Sequence, residues 1–254
     1  MIDLLEVHVL ASGSDGNCTI VKHEDRAVMV DAGLSGKAIM KLMNVSGIEP
    51  SSIEGILITH EHSDHTSGAG IMARRLDVPI YCNELTYRMC DFGKVRYSMI
   101  TTSEEFRING MNITPLPTSH NAIEPNAFSI EADGKRVLIA TDTGKITGPV
   151  EDALGMSDAA VLESNYDKVM LETGPYPLML KRLVGSDVGH LSNVDCGAAV
   201  KRTMRSNRKI FLAHLSRNNN TPDTARETVS EIAGLRRASI DCLEFMGDTR
   251  AFRV

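Results

Sequence analysis

The sequence predicts a four-layer αββα sandwich of the α/β class, two β-sheets face to face with helices outside. Three observations carry that expectation. Short strand-like runs bounded by turn residues open the chain and return in its middle, and helical segments alternate with apolar strands in both halves. No repeat, low-complexity tract or linker divides the 254 residues, so residues 1–254 are expected to form a single domain.

The elements follow in order. Residues 6–11, 18–22 and 26–30 read as strands, joined by turns at Ser12-Gly13-Ser14-Asp15-Gly16 and His23-Glu24-Asp25, so a β-meander starts the fold. A helix over 37–43 leads to a short apolar strand at 55–59, then a helix at 68–76, a strand at 78–82 and a helix at 84–89. Strands at 106–108, 111–116, 128–132 and 136–140 are bounded by Asn-Gly and Asp-Gly turns. Helices at 150–154, 178–182, 194–205 and 221–232 then enclose apolar strands at 159–162 and 209–213.

Composition excludes several classes. Hydrophobic residues at 42% and charged residues at 24% give the balance of a soluble globular chain. Residues 1–10 carry Asp3 and Glu6 with no basic start or cleavage site, which argues against a signal peptide. No apolar run approaches the roughly 18 residues of a membrane span, so no membrane partner is expected. Five cysteines (Cys18, Cys82, Cys90, Cys196, Cys242) form no CxxC pair, which points to a reducing cytoplasm. A net charge of −6 does not mark a nucleic-acid binder. Locally, however, residues 181–217 hold eight basic residues (Lys181, Arg182, Lys201, Arg202, Arg205, Arg208, Lys209, Arg217) against Asp187 and Asp195, a pattern that fits solvated helix faces or a phosphate-attracting strip.

The chemistry concentrates in Thr59-His60-Glu61-His62-Ser63-Asp64-His65, three imidazoles and a carboxylate within six residues. Residues two apart on an extended segment point the same way, so His60 and His62 can share one ion, while Asp64 and His65 can face a second. Neutral imidazole and carboxylate suit zinc, manganese or iron. One turn cannot close two coordination spheres, and further donors do stand just after strands: His120 after 111–116, Asp142 after 136–140 and His214 after 209–213. Each alone would read as a core histidine or a turn aspartate; beside the cluster each reads as a ligand.

With these residues in place the chain resembles the metallo-β-lactamase superfamily over nearly its whole length. The HxHxDH signature is present as His60, His62, Asp64 and His65. The resemblance implies a first metal held by His60, His62 and His120, and a second by Asp64, His65 and His214, with Asp142 bridging. Within the superfamily, Ser12 to Cys18, Glu163-Ser164-Asn165-Tyr166-Asp167, Gly189-His190-Leu191-Ser192-Asn193 and Ala213 to Asn219 look like the YycJ (WalJ, VicX) branch, with the PhnP phosphodiesterases as relatives. That likeness implies a cytoplasmic nuclease or phosphodiesterase, including 5′ to 3′ DNA exonuclease activity.

The accessory segments suit an anionic substrate. Gly13 and Gly16 permit close backbone approach, although an ordinary hairpin turn would use them equally. Glu163 can orient a ligand imidazole. Ser192 or Asn193 can cap the helix that follows, but a cap does not account for His190, which can donate to a phosphoryl oxygen or protonate the leaving oxygen. Ser12, Gly13, Asn17, Glu163, Ser192 and Asn193 are thus expected on the substrate side, and Asp64 and His190 in the reaction. Two divalent ions would make a bridging hydroxide at neutral pH and clamp an in-line displacement. The expected partner is nucleic acid, DNA first, or another phosphodiester. The alternatives are a small-molecule cyclic phosphodiesterase, favoured by the 4% aromatic content, and a thioesterase or lactonase on the same cage. The oligomeric state is left open.

Overall fold

The computed structural model describes residues 5–244 and 247–254, so the first four residues of the 1–10 segment lie outside it. The opening runs form β1 (Leu5–Ala11), β2 (Cys18–His23) and β3 (Arg26–Val30), an antiparallel meander. His23 pairs with Arg26, so the turn is Glu24-Asp25 alone and His23 belongs to the strand. The chain continues in parallel through β4 (Ile53–Leu57), β5 (Ile80–Cys82) and β6 (Tyr97–Met99). Crossovers between these strands place α1 (Gly36–Val45), α2 (Ser63–Thr66), α3 (Ala69–Leu76) and α4 (Glu84–Met89).

The second half repeats the plan. Antiparallel β7 (Phe106–Ile108), β8 (Met111–Pro117), β9 (Asn126–Ala132) and β10 (Lys135–Ala140) lead into parallel β11 (Ala159–Glu163), β12 (Lys209–Ala213) and β13 (Ile240–Cys242). Asn109-Gly110 and Asp133-Gly134 have positive φ at both positions, the backbone a two-residue hairpin requires. The crossovers carry α5 (Gly148–Met156), α6 (Lys168–Thr173), α7 (Leu178–Val184), α8 (Asn193–Arg202) and α9 (Pro222–Ala233). Finally β14 (Arg250–Arg253) returns to pair with β1, and among the described residues each sheet has seven strands.

Alternation along the strands sends one apolar set between the sheets, including Val9, Leu57, Phe128, Val161 and Phe211, all buried. The opposite face of the first sheet packs Ile20, Met29 and Ile56 against Ile39 and Met43 of α1 and Met72 of α3. On the other side Leu138 and Leu212 pack against Val150, Leu154, Val200 and Val229 of α5, α8 and α9. These are the four layers the sequence predicts. The segments it does not predict, α2, α6, β6, β13 and β14, span three to six residues. The helix expected to reach residue 205 stops at Arg202, because buried Arg208 donates to the carbonyls of Val200 and Thr203 and holds the chain in a turn.

Candidate metal centre

The strands of both sheets end at one rim, and the predicted donors stand there. His60 and His62 follow β4; His62 precedes α2 in extended conformation, and the helix turns Asp64 and His65 inward. His120 follows β8, Asp142 follows β10 and His214 follows β12. Donor atoms of His60, His62 and His120 lie within 4.8 Å of one another, as do those of Asp64, His65 and His214, and those of His60, His65 and Asp142. Asp142 thus stands beside His60 of one cluster and His65 of the other. Buried His60 Nε2, His214 Nε2 and Asp142 Oδ2 have no hydrogen-bond partner. Orphaned buried atoms of this kind are costly, and a divalent cation among them supplies what they lack. The residues fit metal ions.

Their outer partners orient the rings. His65 Nδ1 donates to Asp31 Oδ2 at 2.7 Å, His120 Nδ1 to the Gly189 carbonyl at 2.9 Å and His214 Nδ1 to Glu163 Oε1 at 3.0 Å. His60 Nδ1 lies 3.0 Å from Thr59 Oγ1, which itself donates to Asp31. With Nδ1 so engaged, these four rings turn Nε2 toward the other donors of the cluster. Asp31 is the organising residue that the sequence motifs do not reveal. Its left-handed backbone (φ 60°) turns a fully buried carboxylate toward both Thr59 and His65.

Burial disfavours charge throughout the cluster, and opposite charges overcome it at selected groups. Burial opposes ionisation of Asp142, but His214 and His65 outweigh it and hold the carboxyl well below its usual range. Asp64 is likewise depressed against burial by the nearby His214 and His65. His214 is raised against burial to about 10 by Asp142, Asp64 and Glu163. His60 and His120 are lowered, by burial foremost, and stay neutral. His65 is raised against burial by Asp142 and Asp31, so it and His214 carry protons that a bound metal ion would displace, while the carboxylates, His60 and His120 are already in the forms that metals bind.

His190 stands beside this cluster. Its Nδ1 donates to Glu163 Oε1 at 2.7 Å, and its ring lines a cleft of about 240 Å³ with His62, Asp64, His120, Asp142 and His214. Glu163 is fully buried and also accepts from the Thr143 N–H at 2.7 Å, so it positions His190 and His214 and cannot touch substrate. Four other expected substrate contacts are placed differently as well. Ser12 Oγ accepts from the His214 N–H at 2.7 Å, and Asn17 Oδ1 from the Gly13 N–H at 2.9 Å. Both brace the rim. Ser192 caps α8 by accepting from the Asp195 N–H, and buried Asn193 bonds Ser164 and Asn220, so neither lines the cleft. Gly13, at φ 124°, lies on a neighbouring cleft; Ser14 of the same motif and Asn121, which no motif marks, line the metal cleft instead.

The basic run does not form one strip. Arg208 is buried, Arg205 pairs with Asp158, Arg202 with Glu151 and Arg217 with Asp15. Lys181, Arg182 and Arg202 instead share a cleft with Lys145 and Lys168, between α7 and α8.

A sandwich whose strand ends gather these histidines and aspartates defines a metal-dependent hydrolase. The chain belongs to the beta-lactamase superfamily and, within it, to the family of the YycJ and WalJ exodeoxyribonucleases. Residues 26–214 match the Beta-lactamase superfamily domain. The chain is 36% identical over 234 residues to exodeoxyribonuclease YycJ of Bacillus anthracis, covering 90% of this chain and 89% of that protein. It is 35% identical over 229 residues to exodeoxyribonuclease WalJ of Streptococcus pneumoniae, covering 87% and 85%. A diphosphatase of the PhnP family has the same fold, with a TM-score of 0.68 and 19% identity over 99% of each chain. Among the described residues no helix is long and apolar enough to cross a membrane.

Proposed function

We propose that this protein is a DNA exonuclease, acting 5′ to 3′, that hydrolyses phosphodiester bonds at a pair of divalent ions. The carrying observation is the convergence of seven donors, two clusters with Asp142 beside a histidine of each, next to the Glu163–His190 pair. The names of its YycJ and WalJ relatives support DNA as substrate. His60, His62 and His120 would hold one ion, Asp64, His65 and His214 the other, and Asp142 both; nitrogen and oxygen donors suit zinc, manganese or iron. Such ions, when bound, activate water and neutralise phosphate charge.

The chain's own groups do the rest. Asp64, the more accessible carboxylate, reaches the cleft and orients the attacking water. With Nδ1 fixed on Glu163, His190 turns its other edge to the cleft, where it donates to a phosphoryl oxygen or protonates the leaving oxygen. The cleft, about 240 Å³, is smaller than the roughly 300–1,000 Å³ that encloses a small ligand. That disfavours a small cyclic phosphodiester and favours a polymer that presents only its backbone. We place the protein in the cytoplasm, its five cysteines being free, and treat residues 1–254 as one functional unit.

The test compares 5′- and 3′-labelled DNA, RNA and a cyclic phosphodiester after reconstitution with manganese, zinc or iron. Shortening of DNA from the 5′ end is expected; cleavage of RNA or the cyclic ester alone would overturn the assignment. Asp64→Ala should abolish turnover with an unchanged circular dichroism spectrum.

A further inference from the structure

Helix α7 carries two stripes of different chemistry. Leu180, Leu183 and Val184, at i, i+3 and i+4, line the metal cleft. Lys181 and Arg182, with Leu178 and Gly185, line the second cleft of about 750 Å³, where Lys145, Lys168 and Arg202 also stand, paired with Asp187, Asp195 and Glu151. Leu180 and Leu183 are 39% and 41% exposed, and Leu178, Met179 and Val188 beside them are exposed too. Half-exposed Leu180 and Leu183 form an apolar wall at the mouth of a reaction cleft, which marks a surface that something covers.

Resting on the exonuclease reading, we infer that α7 is the strand-recognition helix. Leu180 and Leu183 receive the unstacked base next to the scissile phosphate, and Lys181 and Arg182 attract phosphates further along the backbone. The metal cleft is small enough that a nucleotide held there by its phosphate must lay its base outside, where α7 stands. An apolar stripe alone would also suit a protein partner. Here it is continuous with the metal cleft, and a basic stripe runs beside it, which matches the side-by-side bases and phosphates of a nucleic-acid strand. A paired base inside a duplex has both faces covered by its neighbours, so the wall selects an unpaired or frayed end. Because α7 has no aromatic residue, the grip is weak and sequence-independent.

Two end-labelled DNA strands, identical except for an abasic site next to the scissile bond, test this in the metal-loaded enzyme. The wild-type kcat/KM is expected to fall about fivefold on the abasic strand, the lower end of the effect of one stacked base. In a Leu180→Ser, Leu183→Ser variant the two strands should be cut at nearly equal rates. A Leu180→Met, Leu183→Met variant should restore the difference, which separates removal of the apolar platform from damage to the fold. Lys181→Gln with Arg182→Gln should make the log–log salt dependence shallower by about 0.7 for each phosphate left without its cation. An abasic penalty unchanged by the serine substitutions, or an unchanged salt slope, would overturn the assignment. Concentration-dependent dimers that those serines dissociate would give the wall to a second copy instead. If the wild type cuts no DNA at all, the exonuclease reading fails and this one with it; equal penalties in a DNA-cutting enzyme overturn only the role of α7.

Discussion

Asp31, Asp142 and His214 adopt left-handed backbone, with φ of 60°, 54° and 55°, though none is glycine. Such conformations cost of order 1–3 kcal/mol each and persist because surrounding bonds hold them. At Asp31 those bonds run to Thr59 and His65. Asp31→Ala should weaken metal binding by about 10- to 100-fold, measured by chelator competition, without emptying the core. Unaltered affinity would remove its orienting role. The thiols yield a separate expectation. Burial pushes Cys82 and Cys196 up to about 12 and Cys90 and Cys242 up to about 11, and Cys18 higher still. Iodoacetamide at pH 8 should therefore label the native protein slowly, half-buried Cys90 first, as read by mass spectrometry. At this scale the donors are legible in the sequence because few structural roles need three imidazoles in six residues. Asp31 is not, since an aspartate before Ala32 and Gly33 reads as a turn. Ser192 and Asn193 mislead because residues that cap a helix are the same types that bind phosphate.

Three segments cross beneath the rim. The Asn17 and Ala32 N–H groups donate to the carbonyls of Asp64 and His65, and the Gly33 N–H donates to the Asn17 carbonyl. At Gly33 an added Cβ would lie 1.6 Å from the Asp64 carbonyl oxygen, a clash with backbone that no rotamer relieves. Gly33→Ala should destabilise the protein by more than about 4 kcal/mol in denaturant titration; a small change would show that the crossing yields. Arg208 joins the helical layer to itself, donating to Leu154 at the end of α5 and to Val200 and Thr203 at the end of α8. Arg208→Met should cost about 2 kcal/mol in the same titration by taking the guanidinium donor from the Val200 and Thr203 carbonyls, Leu154 keeping Ser157. Long periodic elements are readable because burial on one face writes the pattern. The short edge strands are not. Tyr97–Met99 and Arg250–Arg253 have no fully buried face to impose an alternation, and pairing with β5 and β1 makes them strands.

Across the whole molecule, each half runs an antiparallel meander into parallel strands, and the carboxyl ends of those strands meet at one rim. One cluster comes mainly from the first half and the second is closed by His214 from the other, so the sandwich must be assembled before the site exists. The sequence shows the layers and marks Glu163 and His190 beside the candidate donors through their motifs; it does not show that Asp31 stands among them, because that approach is made only when the chain packs. The most direct measurement is anomalous diffraction at the metal edge from crystals grown with manganese or zinc. Two peaks are expected, one among His60, His62 and His120 and one among Asp64, His65 and His214, with Asp142 between them. A single peak, or none at this rim, would contradict the dinuclear centre.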